Sequence, residues 1–166
     1  MKPTFPTQAR ANRWANALLY EAMAGLSPAD VARPFGVNFG SMLGIANHTI
    51  VADRVWLGRF TGQPYDHKGS APYADFAALR DARREQDEAV VAFAEALAPA
   101  RLTEVLCYTS MEGTAHQEPL AICLAQFYNH QTFHRGQLHA LLGVLGQSVP
   151  DLDLIYYQIA QRDYSA

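Results

Sequence analysis

The chain has 166 residues, 49% apolar and 17% charged, which suits one globular domain with a full hydrophobic core and excludes a disordered chain. Its formal net charge is −3, with 13 Lys and Arg against 16 Asp and Glu and no basic block, so no nucleic-acid partner is expected. No apolar run reaches the roughly 20 residues of a membrane span, the first ten residues lack the apolar core of a signal peptide, and Cys107 and Cys123 form no Cys-x-x-Cys pair. These features argue against a membrane partner, a structural disulfide and a cysteine zinc cluster, and the expected location is a reducing cytoplasm.

In chain order, the first helix is predicted from about Thr7 to Gly25, with Trp14, Leu18, Ala22 and Leu26 on its apolar stripe. Ser27-Pro28-Ala29-Asp30 reads as an N-cap with proline in the first turn, opening a short helix that Pro34 stops. A second long helix spans Gly40 to Phe60, with Met42, Ile45, Ala46, Thr49, Val55 and Trp56 inward and Gly62 as its end. Gln63 to Pro72 is a loop. A third long helix, Tyr73 to Leu97, sets Phe76, Leu79, Val90, Phe93 and Leu97 against a polar side of Arg80, Arg83, Arg84, Glu85 and Asp87.

From Leu102 to His116 the helical pattern breaks, and alternation around Val105, Cys107 and Thr109 with a turn at Glu112-Gly113 predicts a hairpin or extended crossover. Pro119 can open a fourth long helix that runs to about Leu145 and ends at Gly146. Its core stripe is read as Ile122, Phe127, Leu138, Leu141 and Leu145, and a short helix from Leu152 to Gln161 closes the chain. Four long amphipathic helices with one irregular crossover predict an all-α four-helix bundle, one domain over residues 1–166.

Chemistry concentrates in the fourth long helix. His130 and His134 are four residues apart, so both imidazoles leave the same helical face and can grip one divalent ion. A catalytic site of this kind wants three protein ligands and an open position. His48, midway along the second long helix between Ile45 and Val51, is the best-placed third ligand. His67 falls in a loop, His116 ends the irregular segment, and His139 lies about 140° round the helix from His134. No glutamate follows His130, so the zinc-protease signature is absent. Each of these histidines, taken alone, reads more often as a satisfied core or surface group. Asp53 reads as a surface or ion-pairing carboxylate and the two tryptophans as core. Gly136 is expected to seat a neighbouring helix. Arg135 is expected to pair with a carboxylate across the bundle, with an anionic substrate as the lesser reading.

Three blocks in order resemble the DinB/YfiT-like family of metal-dependent proteins. They are Asn12-Arg13-Trp14-Ala15-Asn16; Asn47-His48 with Asp53-Arg54 and Trp56-Leu57-Gly58-Arg59-Phe60; and Phe127 to Gln137, followed by Pro150-Asp151-Leu152-Asp153. The resemblance implies up-down-down-up helix order, a homodimer, and nickel or zinc held by one histidine of the second long helix and two of the fourth, here His48, His130 and His134. Phe133 departs from close relatives, which often carry histidine there, at no cost in ligands. Active relatives use a low-molecular-weight thiol, so the expected function is a metal-dependent small-molecule thiol transferase or hydrolase. The alternative is a non-enzymatic stress-response protein in which the metal is structural.

Overall fold

The computed structural model describes residues 4–66, 71–149 and 151–163, so His67 and Pro150 lie outside the described residues. Helix α1, Phe5–Ala24, starts where Thr4 Oγ1 accepts the Thr7 N–H at 3.4 Å. Its buried stripe is Ala11, Ala15, Leu19 and Met23, with Asn12, Asn16 and Tyr20 beside it. That is about one residue, or 100°, away from the expected stripe of Trp14, Leu18, Ala22 and Leu26, which is only half-buried. The alanines let α1 approach its neighbours, and Trp14 instead packs against Tyr157 of the last helix at 5.8 Å.

The short helix α2, Pro28–Ala32, is capped by Ser27, whose Oγ accepts the Asp30 N–H at 3.2 Å, as the sequence predicts. Helix α3, Met42–Thr61, is capped by Ser41 and ends on Gly62 at φ 72°, a left-handed conformation that glycine adopts without strain. Helix α4, Phe76–Ala96, is capped by Asp75, whose Oδ2 accepts the Ala78 N–H at 3.0 Å. The predicted crossover is a 3₁₀ turn, Pro99–Thr103, and an antiparallel hairpin of β1, Val105–Thr109, with β2, Ala115–Pro119. Helix α5, Leu120–Val144, follows Pro119 directly, and α6, Leu154–Asp163, lies against α1.

Helix α1 packs on α4 and α5, and α3 packs on the same two. Arg10 meets Glu95 and Arg13 meets Glu88, so α1 and α4 are antiparallel. Asn47 at the start of α3 bonds the backbone of Tyr73 just before α4, and Asp53 reaches Arg83, so α3 and α4 run the same way. His48 meets His134 while Phe60 meets Phe127, which makes α5 antiparallel to α3. The result is the up-down-down-up bundle, with the connections α1 to α3 and α4 to α5 crossing its diagonals. No described helix is long and apolar enough to cross a membrane.

The core divides into two apolar clusters, one around Leu19, Met23, Ile45, Ile50 and Leu142, the other around Phe60, Val90, Leu124 and Phe127. Between them lies a buried polar layer. Arg83 Nη1 donates to Asp53 Oδ2 at 2.6 Å, and its Nη2 lies 2.9 Å from Asp87 Oδ1. Asn16 Nδ2 donates to Asp87 Oδ1 at 2.9 Å, and Gln131 Nε2 donates to Asp53. Asp53 is an ion-pairing carboxylate, but it is wholly buried rather than on the surface. Arg83 and Asp87 likewise leave the expected polar side of α4 for the core, because α1 and α3 supply partners there.

Two further expectations fail. Ile122 is 60% exposed although Phe127, Leu138 and Leu141 are buried, because α5 carries apolar residues on its outer face (Ile122, Phe133, Val144) and polar ones on its inner face (Gln131, His134), so spacing alone does not pick the inner face. Gly136 seats no helix: a Cβ there would meet nothing within 4 Å. The tightest approach among the described glycines is at Gly44, where a Cβ would lie 1.9 Å from the Phe39 carbonyl oxygen; Gly58 follows, at 2.6 Å from the Gln63 carbonyl oxygen. Gly44→Ala gains helix propensity of about 1 kcal/mol yet forces the 36–40 loop outward. A net loss of roughly 1–3 kcal/mol is expected from such overpacking, read from the urea midpoint.

Candidate metal centre

Helix α3 delivers His48, and α5 delivers His130 and His134 from adjacent turns. The polar layer anchors both helices at this level, since Asp53 and Gln131 join them one turn away. The three rings converge on one point. His130 Nε2 lies 3.2 Å from His48 Nε2 and 3.1 Å from His134 Nε2, and the three ligand atoms lie within 4.8 Å of one another. Nitrogens that share one ion at bond lengths of about 2.1 Å sit roughly 3.0–3.4 Å apart. The two spacings from His130 fall in that interval.

Proton bookkeeping points the same way. Gln137 Oε1 accepts from His134 Nδ1 at 2.8 Å, which fixes the tautomer and leaves the His134 Nε2 lone pair facing the others. His130 Nε2 then faces two ring nitrogens while carrying at most one proton. A shared cation satisfies all three lone pairs at once. Burial lowers the pKa of His48 and of His130 to about 4, and the neighbouring imidazoles add to the shift, so both rings are neutral and ligand-ready at neutral pH.

This shift has a stability consequence. Between pH 6.5, the ordinary histidine value, and about pH 4, the unfolded chain takes up protons that the folded metal-free protein refuses. Stability present above pH 6.5 is therefore lost as the pH falls toward 4. Chelator-treated wild type should lose more stability over that window than a His48→Gln/His130→Gln variant, as read by thermal melts.

One side of the site is open and aromatic. Phe39 is 44% exposed and stacks on the His48 ring at 3.9 Å and 12°, and Phe133, 60% exposed, meets His134 edge-on at 5.1 Å. Phe39 holds φ 66°, a left-handed conformation rare for a bulky residue and worth about 1–3 kcal/mol of strain. Its carbonyl rests against Gly44 and accepts the Ser41 N–H at 2.9 Å. Sequence reasoning misses Phe39, because nothing in Val37-Asn38-Phe39-Gly40 signals a ring folded back over α3. Among the described residues no carboxylate or cysteine joins the three histidines. His116 stacks on Tyr108 in the hairpin and His139 is exposed on the far side of α5.

Fold and site together define a four-helix bundle with a three-histidine cluster suited to a divalent metal. The DinB family model matches residues 1–164, and the chain belongs to the DinB family. Among solved structures it is similar to a DinB-like protein of Bacillus cereus ATCC 10987 at 22% identity and TM-score 0.63, covering 83% of this chain and 90% of that one. It is also similar to YfiT of Bacillus subtilis, described as a probable metal-dependent hydrolase with an unusual four-helix bundle topology. There the identity is 15% and the TM-score 0.63, covering 85% and 87% of the two chains. No curated protein matches the chain.

Proposed function

We propose that His48, His130 and His134 hold one divalent ion, nickel or zinc, and that the protein transfers a low-molecular-weight thiol to an electrophilic small molecule. The observation that carries this reading is the convergence of three imidazoles on a side open to solvent, with His130 Nε2 3.2 Å from His48 Nε2 and 3.1 Å from His134 Nε2. An ion held there keeps its full charge and acidifies a water or thiol that joins it. The chain's own residues do the rest. Gln137 orients His134, Phe39 stacks on His48, and Phe39 with Phe133 gives the open side an apolar rim against which a substrate can rest.

Hydrolysis is the second reading, supported by the description of YfiT as a probable metal-dependent hydrolase. The absence of a carboxylate from the cluster among the described residues favours the thiol reaction, which needs less proton shuttling to a leaving group. A purely structural metal fits poorly beside half-exposed rings and an open aromatic rim. The proposal extends to a cytoplasmic homodimer with no nucleic-acid partner, which size-exclusion with light scattering checks.

The test is turnover of a thiol with a panel of alkyl halide, epoxide and maleate-type electrophiles, and of simple esters and amides. Protein stripped by chelator and reloaded with nickel or zinc should lose and regain thiol consumption. Ester or amide turnover alone would select the hydrolase. Metal binding without turnover in any arm would return the structural reading.

A further inference from the structure

Histidines aside, α5 is the least charged of the four long helices. At the chain's charged fraction of 17%, its 25 residues would carry about four Asp, Glu, Lys or Arg. It carries one, Arg135, whose guanidinium is turned inward onto Asn12. A surface helix normally sets its charges on the solvent side. The solvent side of α5 instead holds Ile122 and Phe133, each 60% exposed, and Val144, 72% exposed. Eleven residues separate each from the next, and eleven residues return to within about 20° of the same helical line. The three therefore mark one apolar seam about 33 Å long.

No described element of the chain covers this seam, and its order points to what does. Gln126, Asn129, Gln137 and Ala140 fill it in, so the spacing runs 4-3-4 up to Phe133 and 4-3-4 beyond it. Such spacing reads the same in both directions. Two copies of α5 laid antiparallel about a two-fold axis at Phe133 would set Ile122 against Val144, Gln126 against the small Ala140, Asn129 level with Gln137, and Phe133 against itself. A two-fold interface has to be self-complementary in this way, and a foreign partner imposes no such symmetry. A strip of that length and one helix diameter wide offers roughly half of the ~800 Å² per partner that a standard interface buries. Helix α6, whose Leu154 shares a cleft with Asn129 and Gly136 of α5, exposes Leu154, Ile155, Tyr156 and Ile159 for the rest.

The seam runs beside the histidine cluster. His130 and His134 lie about 60° and 100° round α5 from Phe133, so the cluster flanks the seam and stays open on the side of Phe39. Gln137 is the link between them. Its Oε1 is taken by His134 Nδ1, which leaves its amide N–H groups to donate outward. We propose that α5 forms the two-fold seam of a homodimer, antiparallel and centred on Phe133. In it, Asn129 of the partner subunit accepts from Gln137, and the partner's Phe133 walls the metal centre on that side. The homodimer and the metal rest on the reading above; the seam, its register and the partner's share in the site go beyond it.

Introduced cysteines read the register without metal or turnover. In a Cys107→Ser background, diamide should link Phe133→Cys chains into covalent dimers, because two copies of residue 133 meet at the axis. Neither Ile122→Cys nor Val144→Cys should link alone, whereas the double variant should, since each position faces the other. Ile122→Glu/Val144→Glu sets like charges against each other at both ends of the seam. It should give monomers by light scattering with unchanged helical content, because both side chains are exposed. These positions stand about 16 Å along α5 from Phe133, and added negative charge can only favour a cation. A fall in nickel affinity of about 2- to 13-fold, the worth of one hydrogen bond, would therefore come through the lost seam. The proposal is overturned by a monomeric wild type, by Phe133→Cys chains that do not link, or by Ile122→Cys linking alone, as a parallel seam requires. It is equally overturned if Ile122→Glu/Val144→Glu stays dimeric, or becomes monomeric with nickel affinity unchanged. A wild type that binds no nickel removes the metal reading and the partner's share in it, and the linking pattern alone then decides the seam.

Discussion

Arg83→Met is expected to destabilise the protein by about 3–5 kcal/mol, most of the margin of an ordinary domain. The guanidinium stands between Asp53 and Asp87, 2.6 and 2.9 Å from their oxygens, and all three side chains are at most 4% exposed. Methionine is close in volume but leaves two buried carboxyls without the guanidinium that pairs with both. Burial already pushes both carboxyls up, Asp87 to about 6, with Arg83 pulling them back. Without Arg83 they rise further, so the variant should regain stability as the pH falls through their titration range and lose it as the pH rises. Adding Asp53→Asn and Asp87→Asn to Arg83→Met should recover much of the loss, because the stranded charge is then gone. A urea midpoint within about 1 kcal/mol of wild type for Arg83→Met would mean that water reaches the layer and that it does not hold the helices together.

The second large effect is on metal affinity. His134→Ala removes the proposed ligand that is 4% exposed and oriented by Gln137. Structural zinc sites release about 10–16 kcal/mol through four ligands, so one ligand is worth roughly 2.5–4 kcal/mol, about 70- to 900-fold in affinity. Gln137→Leu leaves all three ligands but frees the His134 ring, and a loss of about 10- to 100-fold is expected. Competition titration with a chromophoric chelator reads both. Equal affinity in wild type and His134→Ala would place any bound metal elsewhere.

The helices were legible in the sequence because their boundaries carry local chemistry. Ser27 caps, Gly62 and Gly146 terminate, and Pro119 opens α5, each acting within a few residues, while the caps Ser41 and Asp75 lie one and two residues past the starts expected at Gly40 and Tyr73. The histidine cluster was legible for the same reason, since His130 and His134 share a face by helical spacing alone. What spacing could not reveal was which way a helix turns when its polar residues find partners. Arg83 and Asp87 read as a solvated face of α4 because Asn16 and Asp53 lie 71 and 30 residues away on helices not yet placed. The same blindness hid the true stripe of α1, where asparagines at 12 and 16 face inward and Trp14 does not. The partners of Arg135, the amides of Asn12 and Asn16, lie 123 and 119 residues away and carry no charge, so no carboxylate spacing could point to them. Phe39 was invisible because a left-handed phenylalanine is a tertiary compromise without a sequence signal.

Whether the three histidines hold a metal ion is read from X-ray absorption on protein expressed in metal-supplemented medium and purified without chelator or metal-affinity resin. The predicted result is about one nickel or zinc ion per chain with three imidazole nitrogens at roughly 2.0–2.1 Å, and its loss in His134→Ala. A metal-free wild type, or an ion with an unchanged imidazole shell in His134→Ala, would contradict it.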